Sequence, residues 1–486
     1  MNIRMIRHIL GWLMIFEAAF LAVPTLTAVI YRESVVWYYL GTLALCGLVG
    51  WLCTLRKPTN TVLYAREGYV IVALSWILLS LLGALPLWLS REIPSFVDAL
   101  FETVSGFTTT GASILSDVES LSHAALMWRS FTHWVGGMGV LVFIMAFLPL
   151  AGGQNMHIMK AESPGPSVSK LVPRVRTTAM ILYSIYLVLT VVEFIFLLCG
   201  GMSVFDALNI SFGTAGTGGF SIRNDGMAGY SGYIQTVVTV FMLLFSINFS
   251  CYYLLLLGRL KDAFNAEVRA FLLIVAAAIG VITLDLRLHD VINSITGEAF
   301  TGYGAFHHAA FSVASVISTT GYATVDFGAW PALSQTILLG VMFIGACAGS
   351  TGGGIKVSRI LLVFKSIRRE LDRLVHPHRV RKISMDGHAV DADVTRSTNV
   401  FMLAYMLVFA GSLLVISLDN FDFLTNFSAV TATINNIGPG LSQVGPASNF
   451  GLFSPLSKLV LVFDMLAGRL ELFPMLALLM PGTWKR

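Results

Sequence analysis

Apolar residues fill this chain in long blocks separated by short polar joints. Ten blocks are long enough to cross a bilayer as helices, near 8–30, 35–55, 69–90, 125–148, 178–200, 233–257, 268–288, 331–363, 398–418 and 455–480. Four further apolar stretches, near 95–110, 203–218, 304–320 and 422–437, are too short to cross. Each runs into polar residues that contain glycine. Short helices that enter the bilayer and turn back suit this pattern. The block from His8 to Ile30 is too long for the apolar core of a cleaved leader and reads as a first span.

The short stretches repeat. DALFETVSGFTTTGAS (98–113), DALNISFGTAGTGGFS (206–221), HAAFSVASVISTTGYA (308–323) and TNFSAVTATINNIGPG (425–440) align without gaps. In that register Gly111, Gly219, Gly321 and Gly438 coincide, separated by 108, 102 and 117 residues. The unit is span, short segment, glycine run, span. The expected fold is an all-α polytopic membrane protein with two N-terminal spans and four such repeats in pseudo-four-fold symmetry around one ion pathway. The expected boundaries are 1–60 for the addition, then 61–160, 161–262, 263–385 and 386–486. Their pore loops fall at 95–113, 203–221, 304–323 and 422–440.

Composition agrees. Of 486 residues, 56% are hydrophobic and 12% charged, half the charge of an ordinary soluble domain. This excludes a soluble enzyme, a disordered chain and a nucleic-acid-binding domain. The net charge of +4 matters less than its placement. Twenty-four of the 31 Lys and Arg fall on one side of the expected spans; six (Arg32, Arg91, Arg129, Arg223, Arg287 and Lys458) fall on the other. That bias places both termini and the polar stretch Lys365–Ser397 in the cytoplasm, the latter as a solvated loop, and the four short segments outside.

Four half-helices from one chain can form a ring. Glycine permits the backbone conformations that aim successive carbonyls at an axis. Carbonyl rings replace the hydration shell of a monovalent cation such as K⁺. The candidate filter residues are Thr109, Thr110 and Gly111; Thr217, Gly218 and Gly219; Thr319, Thr320 and Gly321; and Asn436, Ile437 and Gly438. The half-helix C-termini carry partial negative charge that favours a cation below them.

Two features lie beneath these segments. The first is the glycine-rich run Gly345, Ala346, Cys347, Ala348, Gly349, Ser350, Thr351, Gly352, Gly353 and Gly354. A straight helix disfavours it, at about 1 kcal/mol per glycine. It reads as an unwound segment that obstructs the pathway and moves. It is not a phosphate-binding loop, because Ile355 separates the last glycine from Lys356 and no strand precedes it. The second is Arg469, inside the last span. An intramembrane arginine faces the bundle interior; facing the pathway, it would raise the barrier to K⁺. Asp464 and Glu471 offer an ion pair as the bland alternative.

Other candidates carry less. Glu17, Glu102 and Glu193 are acids in apolar surroundings: Glu102 either supports the first glycine segment or simply caps exposed amides, Glu193 is either a proton site or an interhelical hydrogen bond, and the bland reading is preferred for both. His307–His308 and His376–Pro377–His378 lack carboxylate or cysteine company for a metal. The five cysteines form no CxxC pair and read as small apolar residues. No nucleophile–base set stands out.

The motifs TTTGAS, TGGFS, STTGYA, NNIGPG, GSTGGGIK and AGRLELFP resemble the Trk/Ktr/HKT superfamily of potassium transporters, and most of all its TrkH/TrkG branch. The resemblance covers nearly the whole chain. It implies four span–pore–span units around a K⁺ pathway, the glycine-rich run as an intramembrane gate, and Arg469 as a pore arginine. It also implies a homodimer and a cytoplasmic TrkA-type nucleotide-binding regulatory subunit, with no cofactor in this chain. NNIGPG departs from the Thr-Gly pattern of the other three. The expected function is K⁺ uptake across the bacterial inner membrane. The alternative is a secondary transporter that couples K⁺ to H⁺ or Na⁺, for which Glu193 is the only handle.

Overall fold

A computed structural model describes residues 1–56, 58, 63–139, 175–292, 299–376 and 382–484. Two N-terminal helices, α1 (Ile3–Ile30) and α2 (Val36–Thr54), pair closely. A Cβ on Gly50 would stand 2.7 Å from the Gly11 carbonyl oxygen, so the small residues set how near the two backbones come.

Four helical units follow, each a long helix, a half-helix and a second helix. The first unit is α3 (Ala65–Leu89), α4 (Phe96–Phe107) and α5 (His123–Gly137). The second is α6 (Val175–Cys199), α7 (Val204–Gly216) and α8 (Gly232–Phe245), continued by α9 (Phe249–Leu256). The third is α10 (Ala266–Leu288), α11 (Gly302–Ile317), α12 (Ala332–Ile344) and, beyond a break, α13 (Val357–Val375). The fourth is α14 (Ala392–Ile416), α15 (Phe423–Ile434), α16 (Pro455–Arg469) and α17 (Phe473–Leu479).

The ten expected crossings are not alike. Among the described residues six are continuous apolar helices: α1, α2 and the first helix of every unit. The second helix of each unit stops after 13 to 15 residues. α8 and α9 meet at 90°. α12 ends at Gly345, whose φ is +68°. α16 ends where Glu471 and Leu472 take positive φ. α5 ends at Gly137, and the expected remainder of that span, to 148, lies outside the described residues from 140 on. The glycine run of the third unit signals its break, and Gly136, Gly137 and Gly139 crowd the end of α5; nothing comparable in the sequence signals the breaks after α8 and α16.

The stretch Lys365–Ser397, expected as a solvated loop, is largely ordered. α13 continues to Val375, because its Leu, Arg, Lys and Glu are strong helix formers. A hairpin of β1 (Ser384–Met385) and β2 (His388–Ala389) follows, and α14 begins at Ala392.

Each half-helix packs against its own unit and against the second helix of the unit before it. α7 meets α5, α11 meets α8, α15 meets α12, and α4 meets α16. The last contact closes the series into a ring in chain order.

Candidate functional site

The half-helices begin alike. Ser95, Ser203, Thr301 and Asp422 each accept a backbone N–H of the first turn. Such a cap contributes about 1 kcal/mol. They also end alike. The amides of Thr110, Gly218, Thr320 and Ile437 donate to the carbonyls of Ser105, Gly213, Ser315 and Ala432, at 2.8 to 2.9 Å. The residue before each donor is left-handed: Thr109 (φ +55°), Thr217 (+55°), Thr319 (+59°) and Asn436 (+55°). This is the turn that commonly closes a helix on glycine. Threonine in this conformation is strained by about 1–3 kcal/mol and persists only where its surroundings hold it. Three such threonines in equivalent positions mark a shared structural demand.

The four glycines two residues on also have positive φ, from +73° at Gly219 to +97° at Gly438. They meet edge to edge. A Cβ on Gly111 would collide with the carbonyl oxygen of Gly218, one on Gly219 with that of Thr320, and one on Gly321 with that of Ile437. A Cβ on Gly438 would stand 2.8 Å from the Thr110 carbonyl oxygen. Unit one touches two, two touches three, three touches four, and four returns to one. Eight of the twelve residues expected at the glycine segments therefore meet edge to edge. Gly111, Gly219, Gly321 and Gly438 share one vestibule of about 500 Å³, whose walls include Ser113, Arg129, Ser221, Asp225 and Asp326.

Arg129, counted among the six bases of the outer side, is buried in α5 and paired with Glu102 at 2.8 Å. It also donates to the Ser221 carbonyl at 3.2 Å and lies 4.2 Å from the Phe220 ring centre. Glu102 accepts from Ser113 Oγ at 2.9 Å and from the Ile114 amide at 3.0 Å. The pair thus braces the chain just beyond the first and second glycines. Breaking a buried pair on one side costs about 3–5 kcal/mol. Glu102→Ala should lower the melting temperature of the detergent-solubilised protein by several degrees. The double change to methionine at 102 and 129 should recover part of the loss; a wild-type melting curve for Glu102→Ala would refute the brace.

His133 was not singled out in the sequence. Its Nδ1–H donates to the Gly106 carbonyl at 2.8 Å, and its Nε2 accepts the Phe220 amide at 3.3 Å. The neutral ring therefore joins the end of α4 to the second glycine segment. No short motif marks it, because both partners are distant in sequence.

The run Gly345–Gly354 lies directly under the glycine segments. The Gly353 amide donates to Thr319 Oγ1 at 2.6 Å, and the Gly354 amide to the Asn435 carbonyl at 3.0 Å. Thr351 Oγ1 donates to the Phe245 carbonyl at 3.1 Å, and the Cys347 amide to the Ser246 carbonyl at 3.1 Å. The run thus spans the bases of the third and fourth segments and the break after α8. Lys356, at its end, donates to the Gly352 carbonyl.

Arg469 completes this floor. Its guanidinium donates to the Thr351 carbonyl at 2.8 Å and to the carbonyls of Gly136 and Gly137 where α5 ends. It also reaches Thr109 Oγ1 at 3.4 Å. Of the two acids considered as its partners, Glu471 also pairs with Arg359 at 2.5 Å, and Asp464 accepts from Ser412 at 2.6 Å. All four helix breaks are joined through the glycine run and this one side chain.

The remaining candidates stay apart from the ring. His307 bonds Gln235 at 2.8 Å and His308 bonds Thr324 at 2.9 Å. His376 ends α13; Pro377 and His378 lie outside the described residues. Among the described residues no group of three His, Cys, Asp or Glu could hold a metal ion. Glu17 and Glu193 are buried in α1 and α6.

Comparison with known proteins points one way. A family profile described as TrkH, cation transport protein, matches residues 38–482. The Trk system potassium uptake protein TrkH of Salmonella typhimurium is 39% identical over 495 residues, covering 100% of both chains. The Trk system potassium uptake protein TrkG of Escherichia coli is 33% identical, covering 100% of this chain and 99% of its own. The crystal structure of the potassium transporter TrkH from Vibrio parahaemolyticus superimposes with a TM-score of 0.87 at 36% identity, with 100% of both chains covered.

Proposed function

The chain belongs to the TrkH family of cation transport proteins, in its TrkH/TrkG branch, and on that premise we propose that it takes up K⁺ across the bacterial inner membrane through the ring of four glycine segments. It is a multi-pass membrane ion transporter. The observation that carries the reading is the closed order of contacts around the ring, with all four glycines on one vestibule.

In this reading Thr109–Gly111, Thr217–Gly219, Thr319–Gly321 and Asn436–Gly438 form the selectivity filter. Backbone that alternates between left- and right-handed residues turns neighbouring carbonyls to a common side, as a hydration-shell substitute requires. The half-helix C-termini supply partial negative charge beneath. Gly345–Gly354 is the gate, held closed by bonds to Thr319, Asn435 and Phe245. Arg469 places a positive charge in the passage and ties the gate to the ends of the other second helices. The fourth segment offers Asn436 where the others have Thr, and its side-chain Nδ2 donates to Thr110 Oγ1 at 2.8 Å, so the filter is not strictly four-fold.

Both termini and the hairpin 384–389 face the cytoplasm. The protein works as a homodimer, under a TrkA-type nucleotide-binding subunit. The test is rubidium flux into proteoliposomes, with reversal potentials measured under opposed K⁺ and pH gradients. A reversal potential that follows K⁺ alone supports channel-like uptake. One that shifts with pH or Na⁺ supports coupled transport and would bring Glu193 into the mechanism.

A further inference from the structure

Glu267 is a buried carboxylate that the filter and Arg469 do not use. It lies in the first turn of α10, with 5% of its surface exposed. Its Oε1 accepts the Ala348 amide at 2.7 Å and the Ser358 amide at 3.1 Å. Ala348 is inside the glycine run, and Ser358 is in the first turn of α13 beyond it. One oxygen therefore ties the middle of the run to the helix that follows. The site suits an anion, because it meets the N-terminal ends of both α10 and α13.

The residue before it is held from the other side. The Ala266 amide donates to Asp386 Oδ1 at 2.7 Å, in the turn of the exposed hairpin. Arg269 lies 3.8 Å from the same carboxylate, and Lys365 donates to the Ser384 carbonyl at 2.6 Å. The hairpin is thus pinned to the first turn of α10 and to α13. Those are the two elements that the Glu267 carboxylate joins.

We infer that Glu267 is the positioning residue that latches the Gly345–Gly354 run in its obstructing place, and that the hairpin 384–389 is the handle by which a cytoplasmic protein partner moves that latch. The inference rests on the reading of the run as a gate. A partner that draws the hairpin away shifts the N-terminal turn of α10 and with it the carboxylate. The Ala348 and Ser358 amides then lose their shared acceptor, and the run is free to leave the floor.

Cys347, fully buried within the run, reports its position. With Cys46, Cys53, Cys199 and Cys251 replaced by serine, the rate at which a small thiosulfonate labels Cys347 is measured in proteoliposomes alongside rubidium flux. Glu267→Ala should raise the labelling rate at least about tenfold and raise flux without the partner, leaving rubidium-over-sodium preference unchanged. Glu267→Gln, which keeps the acceptor oxygen but not the charge, should fall between. Asp386→Ala, on the exposed hairpin, should also raise labelling and add little to Glu267→Ala, because both act on one element. Unchanged labelling in both Glu267→Ala and Asp386→Ala overturns the latch, whatever flux does. Labelling that rises without a change in flux supports the latch and overturns the gate. If Glu267→Ala fails to fold, Asp386→Ala decides alone.

Discussion

Gly219→Ala should cut rubidium uptake by about a hundredfold while the protein still reaches the membrane. Gly219 sits at φ +73°, where an L-residue costs about 1–2 kcal/mol. Its new methyl would also overlap the Thr320 carbonyl oxygen and stand 2.8 Å from the Thr320 carbonyl carbon. Neither atom is the end of a flexible side chain, so the neighbouring segment must move. Overpacking of this kind costs about 1–3 kcal/mol. Together these reach about 2–5 kcal/mol, and each 1.4 kcal/mol is about tenfold in a rate. Gly340→Ala is the control. Gly340 lies in α12 with nothing within 4 Å of the added methyl, so uptake should stay near wild type. The check is rubidium flux in proteoliposomes at matched protein density. Wild-type uptake by Gly219→Ala would remove the ring from the ion path.

Arg469→Ala should do the opposite and raise flux by about ten- to thirtyfold. A unit charge about 8 Å from a passing cation, at an effective dielectric of about 20, raises its energy by about 2 kcal/mol. Removing it lowers that barrier. It also frees the Thr351 carbonyl, by which the glycine run is tied to the end of α5. Arg469→Lys separates the two effects: it keeps the charge but cannot bond several carbonyls with a planar fork. A rise with Ala but not Lys assigns the barrier to charge. Equal rises assign it to the tether. Unchanged or lower flux in well-folded Arg469→Ala would reject the barrier role.

The span count shows where sequence reading loses its grip. Length and apolar content mark out the apolar blocks, but the continuity of a helix depends on single backbone angles. The break after α12 is legible because glycines crowd it. The breaks after α8 and α16 are not, since ordinary residues such as Glu471 and Leu472 adopt positive φ there. Charge counting is silent on what each base meets, as Arg129 shows. A tally of flanking bases assumes that each base is solvated, and this one has a buried carboxylate from another helix. For Glu102 the sequence favours a simple cap on exposed amides, whereas its bonds to Ser113 and Ile114 make it a support of the first segment. His133 and Glu267 left no trace, because their partners lie far away along the chain.

The sequence by itself determined the membrane class, the four aligned short segments and the special status of Arg469. Those follow from composition, periodicity and the cost of charge in hydrocarbon, all of which are local or additive. The tertiary structure decided what meets what. It closed the four segments into a ring, laid the glycine run beneath them, and gave Arg469 three backbone carbonyls from two other units. Such contacts join residues from 34 to 333 positions apart. Their geometry depends on the packing of every helix between, which no stretch of sequence encodes alone.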